Sequence, residues 1–102
     1  MIYKEKFDKI KEKCLRGHAE DIRAVISMLN DSVDLPTTRA VDFYLSLVTS
    51  QEGISEIEYF LFNGTLIQRN YSTLFFARRD DWPIVNKAFQ LGLIDRIQAY
   101  SR

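Results

Sequence analysis

Apolar side chains recur at steps of three and four along this chain, and nowhere do they alternate with period two long enough to make a strand. At 3.6 residues per turn such spacing gathers onto one helix face; on a strand it would scatter over both. Tyr3, Phe7, Ile10 and Cys14 form one narrow stripe, and Ile22, Val25, Ile26 and Leu29 form another. The expected class is all-α. With 102 residues, 46% hydrophobic and 27% charged, and only 4 Gly and 2 Pro, one core is affordable and disorder is not expected. A single helical domain over 1–102 follows.

Helix punctuation divides the chain further. Gly17 ends a helix over 2–15, and Glu20 and Asp21 open the next, over 19–29, where the helix dipole favours acids. Asp34-Leu35-Pro36 reads as a connection, so Thr37 or Thr38 is expected to cap a third helix over 38–50. Its polar residues Arg39, Asp42, Ser46 and Thr49 line one strip, with Val41, Phe43, Tyr44, Leu45, Leu47 and Val48 around the rest, as in a central helix. Ser55 with Glu58, and Thr65 with Gln68, have capping-box spacing, and Ile54 and Tyr59 stand where a hydrophobic staple would put them. Asp81 is placed to cap a helix through Trp82 and Pro83 that ends at Gly92, and Asp95 with Gln98 to start a short terminal one. Connection lengths pair these six to seven helices into three stacked antiparallel hairpins: 2–15 with 19–29, 38–50 with 56–63, and 66–79 with 82–91.

The segments GHAEDIRAVISML and GISEIEYFLFNG resemble the second-helix portion of ankyrin repeats, which run roughly Gly-His-x-Glu-Ile-Val-x-x-Leu-Leu. Gly17, His18, Glu20 and Ile22 carry the likeness in the first, and Gly53, Glu56, Ile57, Leu61 and Gly64 in the second. Thr73, Leu74, Ala77, Ile84, Val85 and Gly92 are similar in a third once one residue is deleted. The family's Thr-Pro-Leu-His start and Asp-Gly turn are missing, and the turns are about 36 and then 28 residues apart, an irregular period. The resemblance implies an α-solenoid-like array or a compact stack of hairpins.

The segment IQRNYSTLFFARRDDW mixes rings with arginines as a nucleic-acid surface would. On a helical wheel, however, Leu66, Ile67, Tyr71, Leu74, Phe75 and Ala77 share one half, and Gln68, Arg69, Ser72, Thr73 and Arg79 the other. Most rings point away from the cations, so the segment reads as a core helix. Phe76 lies on the polar side with Arg69, Thr73 and Arg79: either a neighbouring hairpin covers it, or these four contact a protein partner. Asn70 and Arg78 fall in the apolar half, where a buried polar network with Glu56 or Glu58 is one reading and solvent exposure of Arg78 the other; Asp42 is a further acid within reach.

No catalytic, cofactor or metal site is expected. One cysteine and one histidine cannot supply the three or four ligands of a zinc centre, and Gly17 separates Cys14 from His18. The pairs Glu20-Asp21, Glu56-x-Glu58 and Asp80-Asp81 each stand at a helix start, which explains them structurally, and the four glycines are isolated rather than gathered into a phosphate loop. Charge is uneven. Residues 1–29 carry seven Lys/Arg against five Asp/Glu, 30–63 carry Arg39 against six acids, and 64–102 carry six against three. A nucleic-acid module using Lys4, Lys6, Lys9, Lys11 and Lys13 with Arg69, Arg78 and Arg79 is one alternative, and an enzyme with an unrecognised carboxylate site another. The expectation is a cytoplasmic protein-interaction, regulatory or adaptor domain without cofactor or membrane span, with a protein partner or a second copy of itself docking on the narrow stripe of the first helix.

Overall fold

The computed structural model describes residues 2–100, and among them it contains seven helices and no strand. These are α1 (Ile2–Arg16), α2 (Ala19–Ser27), α3 (Leu35–Leu45), α4 (Gln51–Asn63), α5 (Leu66–Arg78), α6 (Trp82–Gln90) and α7 (Arg96–Tyr100). The all-α class stands. None of these helices is long and apolar enough to cross a membrane. The chain forms two compact units, Met1–Ile57 and Glu58–Arg102.

In the first unit α1 packs against both α2 and α3. Of the stripes read from the sequence, Ile22, Val25, Ile26 and Leu29 are wholly enclosed and Ile10 and Cys14 nearly so, whereas Phe7 is half-buried and Tyr3 is 43% exposed. In the second unit α5 packs against α6 and α7, and α6 against α7. Its buried residues include Phe75, Phe76, Ala77, Val85, Ala88, Ile94 and Ala99.

Several helix ends follow the expected chemistry. Thr65 and Gln68 form the reciprocal capping box, with N–H donors to the partner side chain at 3.4 and 3.0 Å. Asp95 and Gln98 do the same at 2.7 and 2.9 Å. Gly17 and Gly92 adopt φ of +70° and +75°, the left-handed conformation that ends a helix. Asp81 occupies the N-cap position of α6 without a side-chain capping bond.

Two helices begin earlier than the sequence suggests. Asp34, not Thr37 or Thr38, caps α3: its carboxylate accepts the Thr37 N–H at 2.8 Å. Pro36 lies inside the first turn, where its missing N–H costs nothing, so it does not mark a connection. Thr37 and Thr38 are consequently buried helical residues, and the Thr38 hydroxyl donates to the Asp34 carbonyl at 2.9 Å. The helix also stops at Leu45 rather than 50. Its buried residues are Thr37, Thr38, Ala40, Val41 and Leu45, while Phe43 is 62% exposed, which is not the profile of a central helix.

Likewise α4 begins at Gln51, so the Ser55–Glu58 box and the Ile54–Tyr59 staple fall inside the helix and do not form its start. The Ser50 hydroxyl takes that role, accepting the Gly53 N–H at 3.1 Å. The second expected hairpin is not a main contact either, since the principal neighbour of α3 is α1 rather than α4.

Gly17 and Gly53 owe their identity to a close approach. The Ser50 hydroxyl donates to the Gly17 carbonyl at 2.6 Å. A Cβ on Gly17 would lie 2.3 Å from Ser50 Oγ, and one on Gly53 would lie 2.7 Å from Val48 Cγ1. A Cβ on Gly92 would meet nothing within 4 Å. Gly92→Ala should therefore cost only the left-handed penalty, about 1 kcal/mol. Gly17→Ala should cost that plus overpacking, roughly 2–4 kcal/mol in all. Urea denaturation of the two variants measures the difference, and equal losses would show that the contact with Ser50 is slack.

Candidate functional site

An apolar concavity in the first unit runs between α1 and α3. It has a volume of about 410 Å³ and is lined by Phe7, Leu35, Pro36, Arg39, Ala40, Phe43 and Tyr44. Two helical facts build it. On α3, Pro36, Ala40, Phe43 and Tyr44 follow at steps of four, three and one, which puts them on a face turned away from the buried Thr38–Val41–Leu45 side. On α1, Phe7 is the half-buried member of a stripe whose Ile10 and Cys14 are enclosed. Leu35 is 61% exposed, and together with Phe43 it forms an apolar lip open to solvent. Arg39 is the one charged residue in the lining.

A smaller concavity, about 260 Å³, lies beside the start of α3, lined by Lys6, Met28, Asn30, Ser32, Val33, Asp34 and Thr37. Asp34 is already engaged there. It accepts from the Thr37 N–H and from the Tyr3 hydroxyl at 3.2 Å. Its carboxyl is held below the usual range by the nearby Thr37 hydroxyl first, then by that N–H, with Tyr3 and Lys6 adding to the effect. The Thr37 hydroxyl acts by nearness alone, since it is buried without a partner in hydrogen-bonding geometry. In the second unit Leu66, Ile67, Asn70, Tyr71 and Gln98 line a separate concavity of about 440 Å³ between α5 and α7.

Of the alternatives left open for the aromatic-arginine helix, the structure has Phe76 covered and Arg78 exposed, not Phe76 and Thr73 at the surface or Arg78 in a buried network. Phe76 is 1% exposed and in edge contact with Phe75 at 5.1 Å, and Thr73 is wholly buried with its hydroxyl donating to the Arg69 carbonyl at 2.7 Å. Neither presents a surface to a partner. The Arg79 guanidinium lies 5.0 Å from the Phe75 ring centroid, a cation–π contact within the unit, and Arg69 is half-buried. The polar half of α5 is thus largely inside, because Thr73 bonds to its own helix backbone and α5 is packed on two sides by α6 and α7. Nor is there a buried network of Asn70, Arg78, Glu56 and Glu58. Arg78 and Glu58 are exposed, Asn70 lines the α5–α7 concavity, and Glu56 pairs with Arg23 at 3.0 Å.

Elsewhere the ionisable groups are structural. Asp21, 7% exposed, is held below the usual carboxylate range chiefly by the Arg16 guanidinium, which bonds it at 2.9 and 3.3 Å. Glu52 lies at the N-terminus of α2, accepting the Ala19 N–H at 2.8 Å, with His18 at 3.8 Å. Burial, then the charge of Asp21, pushes the Cys14 thiol up to about 12. No cluster of three His, Cys, Asp or Glu side chains is arranged to hold a metal ion among the described residues. The chain matches no known protein family, no curated protein and no solved structure.

Sequence reasoning missed the α1–α3 groove because it placed the start of α3 at Thr37 or Thr38, which left Leu35 and Pro36 in a loop. The available signal was the breadth of the apolar arc around Phe43 and Tyr44, more than one neighbouring helix can cover.

Two outcomes test this description. The Cys14 thiolate is the reactive form, so a shift from 9.0 to about 12 should slow alkylation in the folded protein by about a thousandfold relative to the unfolded chain at the same pH. Because the folded state holds this proton longer than the unfolded state, stability should also fall as pH rises from 9 toward 12. Rapid labelling of native protein near neutral pH would contradict the burial. Ser72, 1% exposed, has a hydroxyl without a partner, so Ser72→Ala should be neutral or stabilising by up to about 1 kcal/mol by thermal denaturation.

Proposed function

We propose that this chain is a non-catalytic protein-interaction domain of helical-repeat type, acting as a regulatory or adaptor component in a reducing cytoplasm. The α1–α3 groove carries the interaction reading, because an apolar lip of Leu35 and Phe43 open to solvent is the kind of surface that a partner covers. The repeat reading draws support from three contacts at one sequence offset. Gly17 with Ser50, Ala19 with Glu52 and Arg23 with Glu56 are each 33 residues apart, as expected where the turns of successive hairpins lie in register. A lone, buried cysteine suits a reducing compartment.

The lysines of α1 do not favour the nucleic-acid alternative. Lys4 and Lys11 fall on one side of the helix, Lys6 and Lys13 on another, and Lys9 between these and the acids, so they form no single stripe.

Phe43→Ser and Leu35→Ser test the proposal. Both side chains are mostly exposed, so the substitutions should change stability by no more than about 0.5 kcal/mol. Proteins captured from cell extract by the intact chain should be lost with both variants. Identical capture by all three proteins would overturn the assignment of this groove.

A further inference from the structure

We infer that the α1–α3 groove takes a short amphipathic helix whose apolar face is bordered by acidic residues. This rests on the interaction reading above and adds the chemistry of the occupant. The first argument is charge. Arg39 is exposed and forms none of the ion pairs found among the described residues, and no acid lines the groove. Lys4 and Lys11 are exposed and stand three residues before and four after Phe7, so they border the α1 side of the same apolar surface. Asp34, the nearest acid at the start of α3, turns its carboxylate to the Thr37 N–H and the Tyr3 hydroxyl and lines the neighbouring concavity instead. Asp8 and Glu12 of α1 lie about 100° and 140° around the helix from Phe7. No acid is in the lining itself; Asp42 stands about 20° around α3 from Leu35. The groove is therefore an apolar floor bordered by three cations against one carboxylate on its α3 edge, an excess of positive charge complementary to apolar side chains with acids beside them.

The second argument is length. The nine steps from Leu35 to Tyr44 make the α3 wall about 14 Å long. That accommodates apolar anchors at i, i+3, i+4 and i+7 of a docked helix, which span about 10 Å. The wall is helical, with its backbone donors and acceptors engaged, so strand addition has no edge to use here.

The experiment uses the full chain and two synthetic 14-residue peptides that share leucines at i, i+3, i+4 and i+7, one with glutamates and the other with lysines at the flanking positions. Titrations followed by amide chemical shifts and calorimetry should show the glutamate peptide shifting Phe7, Leu35, Arg39 and Phe43 and binding at least about tenfold more tightly at low salt. The advantage should shrink at high salt, and Arg39→Glu should remove it with the circular dichroism spectrum unchanged. If the lysine peptide binds the same residues equally well, the acidic specificity is wrong while the groove remains a docking site. If neither peptide shifts groove residues, the inference fails, and unchanged capture by Phe43→Ser would then overturn the interaction reading as well. A concentration-dependent dimer that Phe43→Ser abolishes would assign the groove to a second copy of the chain and also overturn the inference.

Discussion

The Gly17 carbonyl accepts the Ser50 hydroxyl at 2.6 Å, and much of the first unit follows from how near two backbone segments must come to make that bond. The approach is possible because Gly17 has no Cβ and can turn at φ +70°, and because Gly53 offers no side chain across from it. Ser50 then serves twice, donating to Gly17 and accepting the Gly53 N–H that α4 would otherwise leave unpaired in its first turn. The same nearness carries Glu52 to the start of α2. His18, at the N-cap position of α2, makes no side-chain bond there, and Glu52 satisfies the Ala19 N–H instead, an acid where the helix dipole favours one. Arg23 and Glu56 join the two helices one turn further along. The glycines thus permit the contact, and the polar side chains give it a register.

The position of α3 depends on a different device. Asp34 starts the helix three residues before the threonines that a reader of the sequence would choose. That shift decides which side chains are inside. Thr37 and Thr38 enter the buried face, and Leu35 and Pro36 become part of a helical wall. The buried stripe of α1 is narrow, with Ile10 and Cys14 enclosed and Phe7 half-covered, so it meets one side of α3 and no more. The rest of the apolar arc of α3, centred on Phe43, remains open as the groove. An apolar surplus on one helix and a narrow stripe on its neighbour are enough to produce it.

Much of this fold was legible because periodicity and glycine positions act locally. The Ile22–Val25–Ile26–Leu29 stripe, the Gly17 and Gly92 stops and the boxes at Thr65 and Asp95 depend on residues within a few positions of one another. What escaped depends on tertiary choice. Ser55–Glu58 has the spacing of a capping box, but Ser50 is held in place by Gly17, 33 residues away, and the helix begins there instead. Local capping spacing loses to a cap already secured by a distant carbonyl. The groove was hidden for the related reason that a helix start misplaced by three residues changes which face is open.

The burial of α5 shows why a wheel drawn for one helix misassigns exposure. Phe76 and Thr73 fall on its polar side, yet both are enclosed, and Ser72 is enclosed with them at the cost of an unpartnered hydroxyl. A helix packed by neighbours on two sides has no free half, so polarity on its wheel reports which groups must find bonds within the helix rather than which face water. Thr73 meets that demand through the Arg69 carbonyl. The opposite error arises on α3, where Phe43 belongs to an apolar arc and is nonetheless exposed. Composition of a face therefore predicts burial only when the number of packed neighbours is known. Where neighbours are few, apolar residues are left uncovered, and in this chain that open apolar surface lies on α1 and α3 and not among the rings and arginines of α5.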